Sequence, residues 1–97
     1  MKVFLSHPMN GLSESEIMSI RDSAYTYLQA VYGNIKIIDN LHIYEAPKNS
    51  GRLWHLGRSI QQMEEADAIY FCEGWENARG CLIERQVAEK YGLRILE

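Results

Sequence analysis

Four short apolar runs alternate with three stretches of helical period along this chain, and that alternation constrains its fold more than any single residue does. The runs are Val3-Phe4-Leu5, Ile35-Lys36-Ile37-Ile38, Asp67-Ala68-Ile69-Tyr70-Phe71-Cys72 and Leu93-Arg94-Ile95-Leu96. Each is short and bounded by turn residues, as buried strands are. After the first, Ser13 and Glu16 form a capping-box pair that opens a helix to about Tyr32, with Ile17, Ile20, Ala24, Tyr27, Leu28 and Val31 on one face. Gly33-Asn34 stops it. A second helix is predicted from about Arg52 to Glu65, with Leu53, Leu56, Ile60 and Met63 inward, and a third from Gly80 to Tyr91. Strands separated by helices pair in parallel through right-handed crossovers. The economical solution is an α/β, flavodoxin-like three-layer sandwich: a four-stranded parallel sheet in the order 2-1-3-4 with three helices, forming one domain over residues 1–97.

In that topology the strand order reverses between the first and third strands, and ligands bind outside the carboxyl ends of strands at such a switch point. Two loops converge there: Ser6-His7-Pro8-Met9-Asn10-Gly11, and the polar, Gly-bounded Glu73 to Gly80. The long polar segment from Asp39 to Gly51 lies nearby as a candidate lid. At ~100° per residue, Cys81, Ile83, Val87, Ala88 and Tyr91 cover one arc of the third helix, and Glu84 falls in the middle of it. A carboxylate facing a core must be paired, neutral or in use. Two readings stay open at this point. Glu84 is a structural acid, paired with Arg21 or Arg79 or tilted out to solvent from the first turns where acids favour the helix dipole, or it is the functional group of the crevice.

Composition narrows the partners. Net charge is −3, and the 10 Lys and Arg residues are scattered without a basic stripe, which argues against a duplex nucleic acid partner. No apolar run approaches the roughly 20 residues that span a bilayer, so no membrane partner is expected. Met1 to Pro8 reads as a strand rather than a signal peptide. Cys72 and Cys81, with no His or Cys at metal spacing nearby, read as reduced core thiols of a cytoplasmic protein, a reactive Cys81 being the minor alternative. No Walker loop, Ser/His/Asp order or acidic metal cluster is present, so neither a metal nor another cofactor is expected.

Several crevice residues have a functional and a structural reading of similar weight. His7 is a ligand contact or a turn residue whose ring bonds a neighbouring carbonyl. Arg79 and Gly80 open the third helix, where free N–H groups and a cation suit a phosphate or carboxylate, although a lone Arg is also an ordinary surface charge. Trp75 suits stacking on a base or packing at a subunit interface. Gly11 permits unusual dihedrals in the first loop. Trp54 and His55 read as packing residues, and Arg21 as structural.

At these segments the chain resembles the nucleoside 2-deoxyribosyltransferase superfamily, and within it a small phage- and prophage-associated domain family of unknown function. The carrying residues are Val3 to Gly11 and Asp67 to Ala88, most specifically Gly74-Trp75-Glu76-Asn77-Ala78-Arg79-Gly80-Cys81-Leu82-Ile83-Glu84. The resemblance implies an enzyme that cleaves the N-glycosidic bond of a deoxynucleoside or its 5′-monophosphate, with Glu84 attacking the anomeric carbon. The ligand contacts it implies are Ser6, His7, Pro8, Met9, Asn10, Gly11, Ser59, Gly74, Trp75, Asn77, Arg79 and Gly80. It further implies a homodimer or higher homo-oligomer in which a neighbouring subunit completes the pocket.

The chain departs from that family at four places. Phe4 stands where relatives have a tyrosine, His7 where they have a glycine, Ser59 where they have the acid that handles the leaving base, and Ala78 where they have a Ser or Asp for sugar or phosphate. His7 is then the candidate to replace the missing acid. The same departures fit a second expectation, a non-catalytic nucleotide-binding protein that sequesters its ligand. A third, an NAD- or ADP-ribose-directed hydrolase, follows from a fainter resemblance of Val3 to His7 to interleukin-receptor-type signalling domains.

Overall fold

The chain runs strand, helix, strand, helix, strand, helix, strand in a computed structural model that describes residues 1–41 and 46–97. The strands are β1 (Lys2–Ser6), β2 (Lys36–Ile37), β3 (Ala68–Phe71) and β4 (Ile95–Leu96), and the helices are α1 (Glu14–Tyr32), α2 (Arg52–Glu65) and α3 (Arg79–Lys90). All strand pairs are parallel and the order is β2-β1-β3-β4, a flavodoxin-like α/β sheet. The central pair is the longest, with Val3, Phe4, Leu5 and Ser6 opposite Ala68, Ile69, Tyr70 and Phe71. Of the expected lid over residues 39–51, positions 42–45 lie outside the described residues.

The period of two along each strand sorts the core into two halves. Val3, Leu5, Ala68 and Leu96 face α1, where Ala24 and Leu28 meet them. Phe4, Ile69 and Phe71 face the other way, against Met63 of α2 and Ala88 of α3. One helix thus covers one face and two cover the other. Local chemistry agrees with this arrangement at α1. Ser13 accepts from the Glu16 amide at 3.1 Å while Glu16 accepts from the Ser13 amide at 3.0 Å, and Gly33 ends the helix at φ +82°. Such a reciprocal cap contributes ~1 kcal/mol.

Some expected core residues lie outside it. Tyr27 is 43% exposed and Val31 54%, because a single helix cannot cover four strands and its flank and last turn remain open. Tyr27 instead lies against Tyr70, ring centroids 5.8 Å apart, and donates its hydroxyl to the Glu97 carbonyl. On α2 the buried residues are Ser59, Gln62 and Met63. Leu53, roughly 120° from the centre of that face at ~100° per residue, is 83% exposed. On α3 the buried face is Cys81, Glu84 and Ala88. Ile83 is left 39% exposed, and Tyr91, at the helix end, 79%. Among the described residues no helix is long and apolar enough to cross a membrane.

These positions separate under truncation. Met63→Ala, at a fully buried site, is expected to cost 2–5 kcal/mol, on the order of other buried large-to-small changes. Leu53→Ala is expected to change stability by less than about 0.5 kcal/mol. Urea midpoints of the two variants check this, and a large loss at Leu53 would contradict the packing of α2.

Candidate functional site

The carboxyl ends of β1 and β3 lie side by side, and the chain after each is held close to the other. The Cys72 amide donates to the Ser6 carbonyl at 2.8 Å, one residue beyond the last register pair. After β3 the chain turns at Gly74, φ +90°, passes through a short 3₁₀ turn at Trp75–Asn77 and enters α3. After β1 it turns at Asn10-Gly11, where the Leu12 amide bonds the Met9 carbonyl at 3.2 Å and Gly11 takes φ +79°. A Cβ at Gly74 would stand 3.3 Å from Pro8 Cγ, so the two loops touch. The left-handed backbone favours glycine at position 74, and a Cβ there would also press on Pro8.

Glu84 projects from the second turn of α3 toward the end of β1. It is 7% exposed, and Ser6 donates its hydroxyl to Glu84 Oε1 at 2.6 Å. Ser6 shares the pleat of Phe4, facing α3, so the strand's period of two delivers the hydroxyl to the helix. Burial drives the Glu84 pKa up to about 7, with the Ser6 hydrogen bond pulling the other way. The carboxyl therefore titrates near neutral pH. Oε2 has no hydrogen-bond partner among the described residues. Cys81 lies one turn earlier on the same face, beside the Ser6 hydroxyl, and burial pushes its thiol up to about 11. It is a protonated neighbour rather than a nucleophile. Cys72, at about 12 through burial, is likewise inert.

Arg21 does not neutralise Glu84. Its guanidinium donates through Nη1 to Asn40 Oδ1 at 2.6 Å and through Nη2 to the Ile38 carbonyl at 3.2 Å, and the same Nη1 lies 3.1 Å from His7 Nε2. Asn40 passes the contact on, donating to the Leu5 carbonyl at 2.9 Å. A cation beside Nε2 requires a lone pair there, so the proton of His7 sits on Nδ1, 3.2 Å from the Pro8 carbonyl. Burial, foremost, and Arg21 both lower the His7 pKa, against the opposing Pro8 bond. His7 is neutral, 7% exposed, and its only ring proton faces a carbonyl. In this arrangement the ring proton of His7 is engaged by the Pro8 carbonyl and is not directed at Glu84.

The remaining candidates divide. Ser6, expected as a ligand contact, is 1% exposed and bonded to Glu84. The Trp75 ring packs against Phe71 at 5.3 Å with the Arg85 guanidinium 5.0 Å from its centroid, so its stacking partners belong to its own chain. Ser59 is buried on α2 beside Met63 rather than bonded to Glu84. Met9, Asn10, Gly11, Asn77 and Arg79 are exposed, and Pro8, Gly74 and Gly80 partly so. The α3 N-cap is Ala78, without a side-chain cap, and the amides of Arg79, Gly80 and Cys81 have no partner among the described residues. The reading missed Asn40 and Gln62, buried amides whose hydrogen bonds tie down the chain after β2. Their only sequence signal was an Asn just past a strand and a Gln on a helix's apolar side.

Two open grooves of about 420 and 430 Å³ flank the edge strand β2, lined by residues including Met18, Arg21, Tyr25, Ile37 and Asp39. Neither includes Glu84. Among the described residues no group of three or more His, Cys, Asp or Glu is placed to hold a metal ion.

The model of a domain of unknown function, DUF4406, matches residues 1–97, and the chain belongs to that family. No curated protein and no solved structure matches the chain.

The raised Glu84 pKa carries a sign for stability. The folded state holds the proton more tightly than the unfolded chain, so the contribution is complete below about pH 4.5 and is lost as pH rises through about 7. The full swing is on the order of 3 kcal/mol. Glu84→Gln keeps the shape without the charge, and is expected to gain stability relative to the parent by about that amount between pH 4.5 and 8. Urea unfolding across that range measures it. A stability difference that does not change with pH would show that Glu84 is not desolvated.

Proposed function

We propose that this protein cleaves an N-glycosidic bond of a nucleoside or nucleotide through Glu84, in the manner implied by its resemblance to nucleoside 2-deoxyribosyltransferases. The observation that carries the reading is the buried carboxylate of Glu84, held by Ser6 at the switch point between β1 and β3. In the reaction an oxygen of Glu84 forms a bond to the anomeric carbon as the bond to the base breaks, leaving a glycosyl ester that passes to water or to another base. The transition state is cationic, and a fixed carboxylate with little competing water stabilises it. The uncapped start of α3, with Arg79 exposed beside it, suits a 5′-phosphate or another anionic group of the ligand. The two grooves flanking β2 lie away from Glu84, and the resemblance implies a neighbouring subunit that completes the pocket over the ligand.

A second reading has an observation of its own. The one ring proton of His7 faces the Pro8 carbonyl, so the residue expected to protonate a leaving base is engaged elsewhere. An anchored carboxylate without such a donor beside it fits a non-catalytic protein that holds a nucleotide without changing it.

One experiment separates the two. Purified protein is incubated with deoxynucleosides, their monophosphates and NAD, and analysed by native and denaturing mass spectrometry. Turnover is expected to appear as free base or a glycosyl adduct on the peptide containing Glu84. It should rise with pH through about 7 as Glu84 ionises and fall by at least about 10³-fold in Glu84→Gln. Unchanged turnover in Glu84→Gln would sink the enzymatic reading, and intact bound ligand without base release would establish the second.

A further inference from the structure

We propose that Ser6 is a positioning residue for Glu84, fixing Oε1 by its hydrogen bond so that Oε2 is the oxygen offered to the crevice. The proposal rests on Glu84 being the reactive carboxylate. It replaces the expectation that Ser6 touches the ligand, since a side chain 1% exposed has no surface to offer one.

Three features carry it. Ser6 is the last residue of an otherwise apolar buried stretch, Val3-Phe4-Leu5, on the pleat that Phe4 shares, where packing alone calls for another hydrocarbon. Its backbone cannot wander: it is in register with Phe71, and its carbonyl accepts from the Cys72 amide at 2.8 Å. Its one hydroxyl proton reaches Oε1 at 2.6 Å, across 78 residues of sequence. A carboxylate on a helix has free χ angles. One oxygen pinned from a central strand removes most of that freedom, and the second oxygen keeps no partner among the described residues. The Cys81 thiol interacts with the same hydroxyl.

A hydrogen bond that favours the charged form has a consequence that simple space-filling lacks: its loss moves the titration of the carboxyl. The test follows the Glu84 side-chain carboxyl by ¹³C NMR against pH in the parent, Ser6→Ala, Ser6→Thr and Ser6→Cys, with no ligand present. Ser6→Ala is expected to raise the Glu84 titration midpoint by about one to two pH units. Ser6→Thr, which keeps the hydroxyl, should return it toward the parent value. Ser6→Cys, nearly isosteric with a weaker donor, should fall between, and it decides the question if Ser6→Ala does not fold.

Once a substrate is found, Ser6→Ala should lower kcat by about tenfold or more with KM little changed. The alkaline shift of its pH–rate profile should match the NMR shift. A midpoint unmoved in folded Ser6→Ala or Ser6→Cys, or a Ser6→Thr that titrates like Ser6→Ala, overturns the positioning role. The NMR arm needs no turnover. A protein in which no substrate is cleaved but the midpoint moves as expected would therefore fail as an enzyme while keeping the Ser6–Glu84 coupling.

Discussion

The four-pair parallel register between β1 and β3 sets everything at the candidate site. It places Ser6 level with Phe71, so the chain leaves both strands at the same height and the two loops must pass each other there. It also fixes which way Ser6 points. Because Phe4 faces the α2–α3 layer, Ser6 does too, and α3 returns over that same side. A slip of one residue in this register would send Ser6 toward α1 and leave Glu84 buried without a partner, a state costing several kcal/mol. The hydrogen bond is thus less a decoration on the fold than a check on its register.

Much of this was legible in the chain. Strand and helix order, the parallel sheet and its 2-1-3-4 sequence follow from short apolar runs between helical patterns, because crossover handedness leaves few alternatives. Glu84 stood out because a carboxylate on an apolar arc conflicts with its surroundings, and it is buried as the pattern implied. Orientation within elements was harder. The inward arc of α3 turned out to be centred on Cys81, Glu84 and Ala88, with Ile83 to one side. Hydrophobicity ranks side chains by transfer energy, while the sheet buries whatever faces it. Exposed Leu53 and Val31 make the same point from the other direction.

Local polar partnerships were legible, in the Ser13–Glu16 cap and the contact of His7 with the Pro8 carbonyl, but those between distant elements were not. Arg21 was the natural counter-ion for Glu84 by charge, yet it lies on the opposite side of the sheet, bonded to Asn40, the Ile38 carbonyl and His7. That cluster ties α1 to the ends of β1 and β2 with a cation and neutral acceptors. It also sets the tautomer of His7. Pairing of this kind depends on which face each residue occupies, information that appears only once the layers are assembled. The departures from the resembling family now have locations: Phe4, His7 and Ser59 are buried and Ala78 is partly buried.

The contact between Pro8 and Gly74 has an evolutionary side. It acts as a pivot: a side chain at position 74 would press on Pro8 and meet an unfavourable left-handed backbone. To either side of the pivot, Met9, Asn10 and Gly11 on one loop and Asn77 and Arg79 on the other are exposed and unconstrained by packing. Met9, Asn10, Asn77 and Arg79 can therefore be exchanged without disturbing Ser6 and Glu84 beneath them, whereas the left-handed backbone of Gly11 favours glycine. Diversity among relatives of this chain should then collect in a ring around the pivot, and insertions should enter at the loop tips and never at the pivot itself.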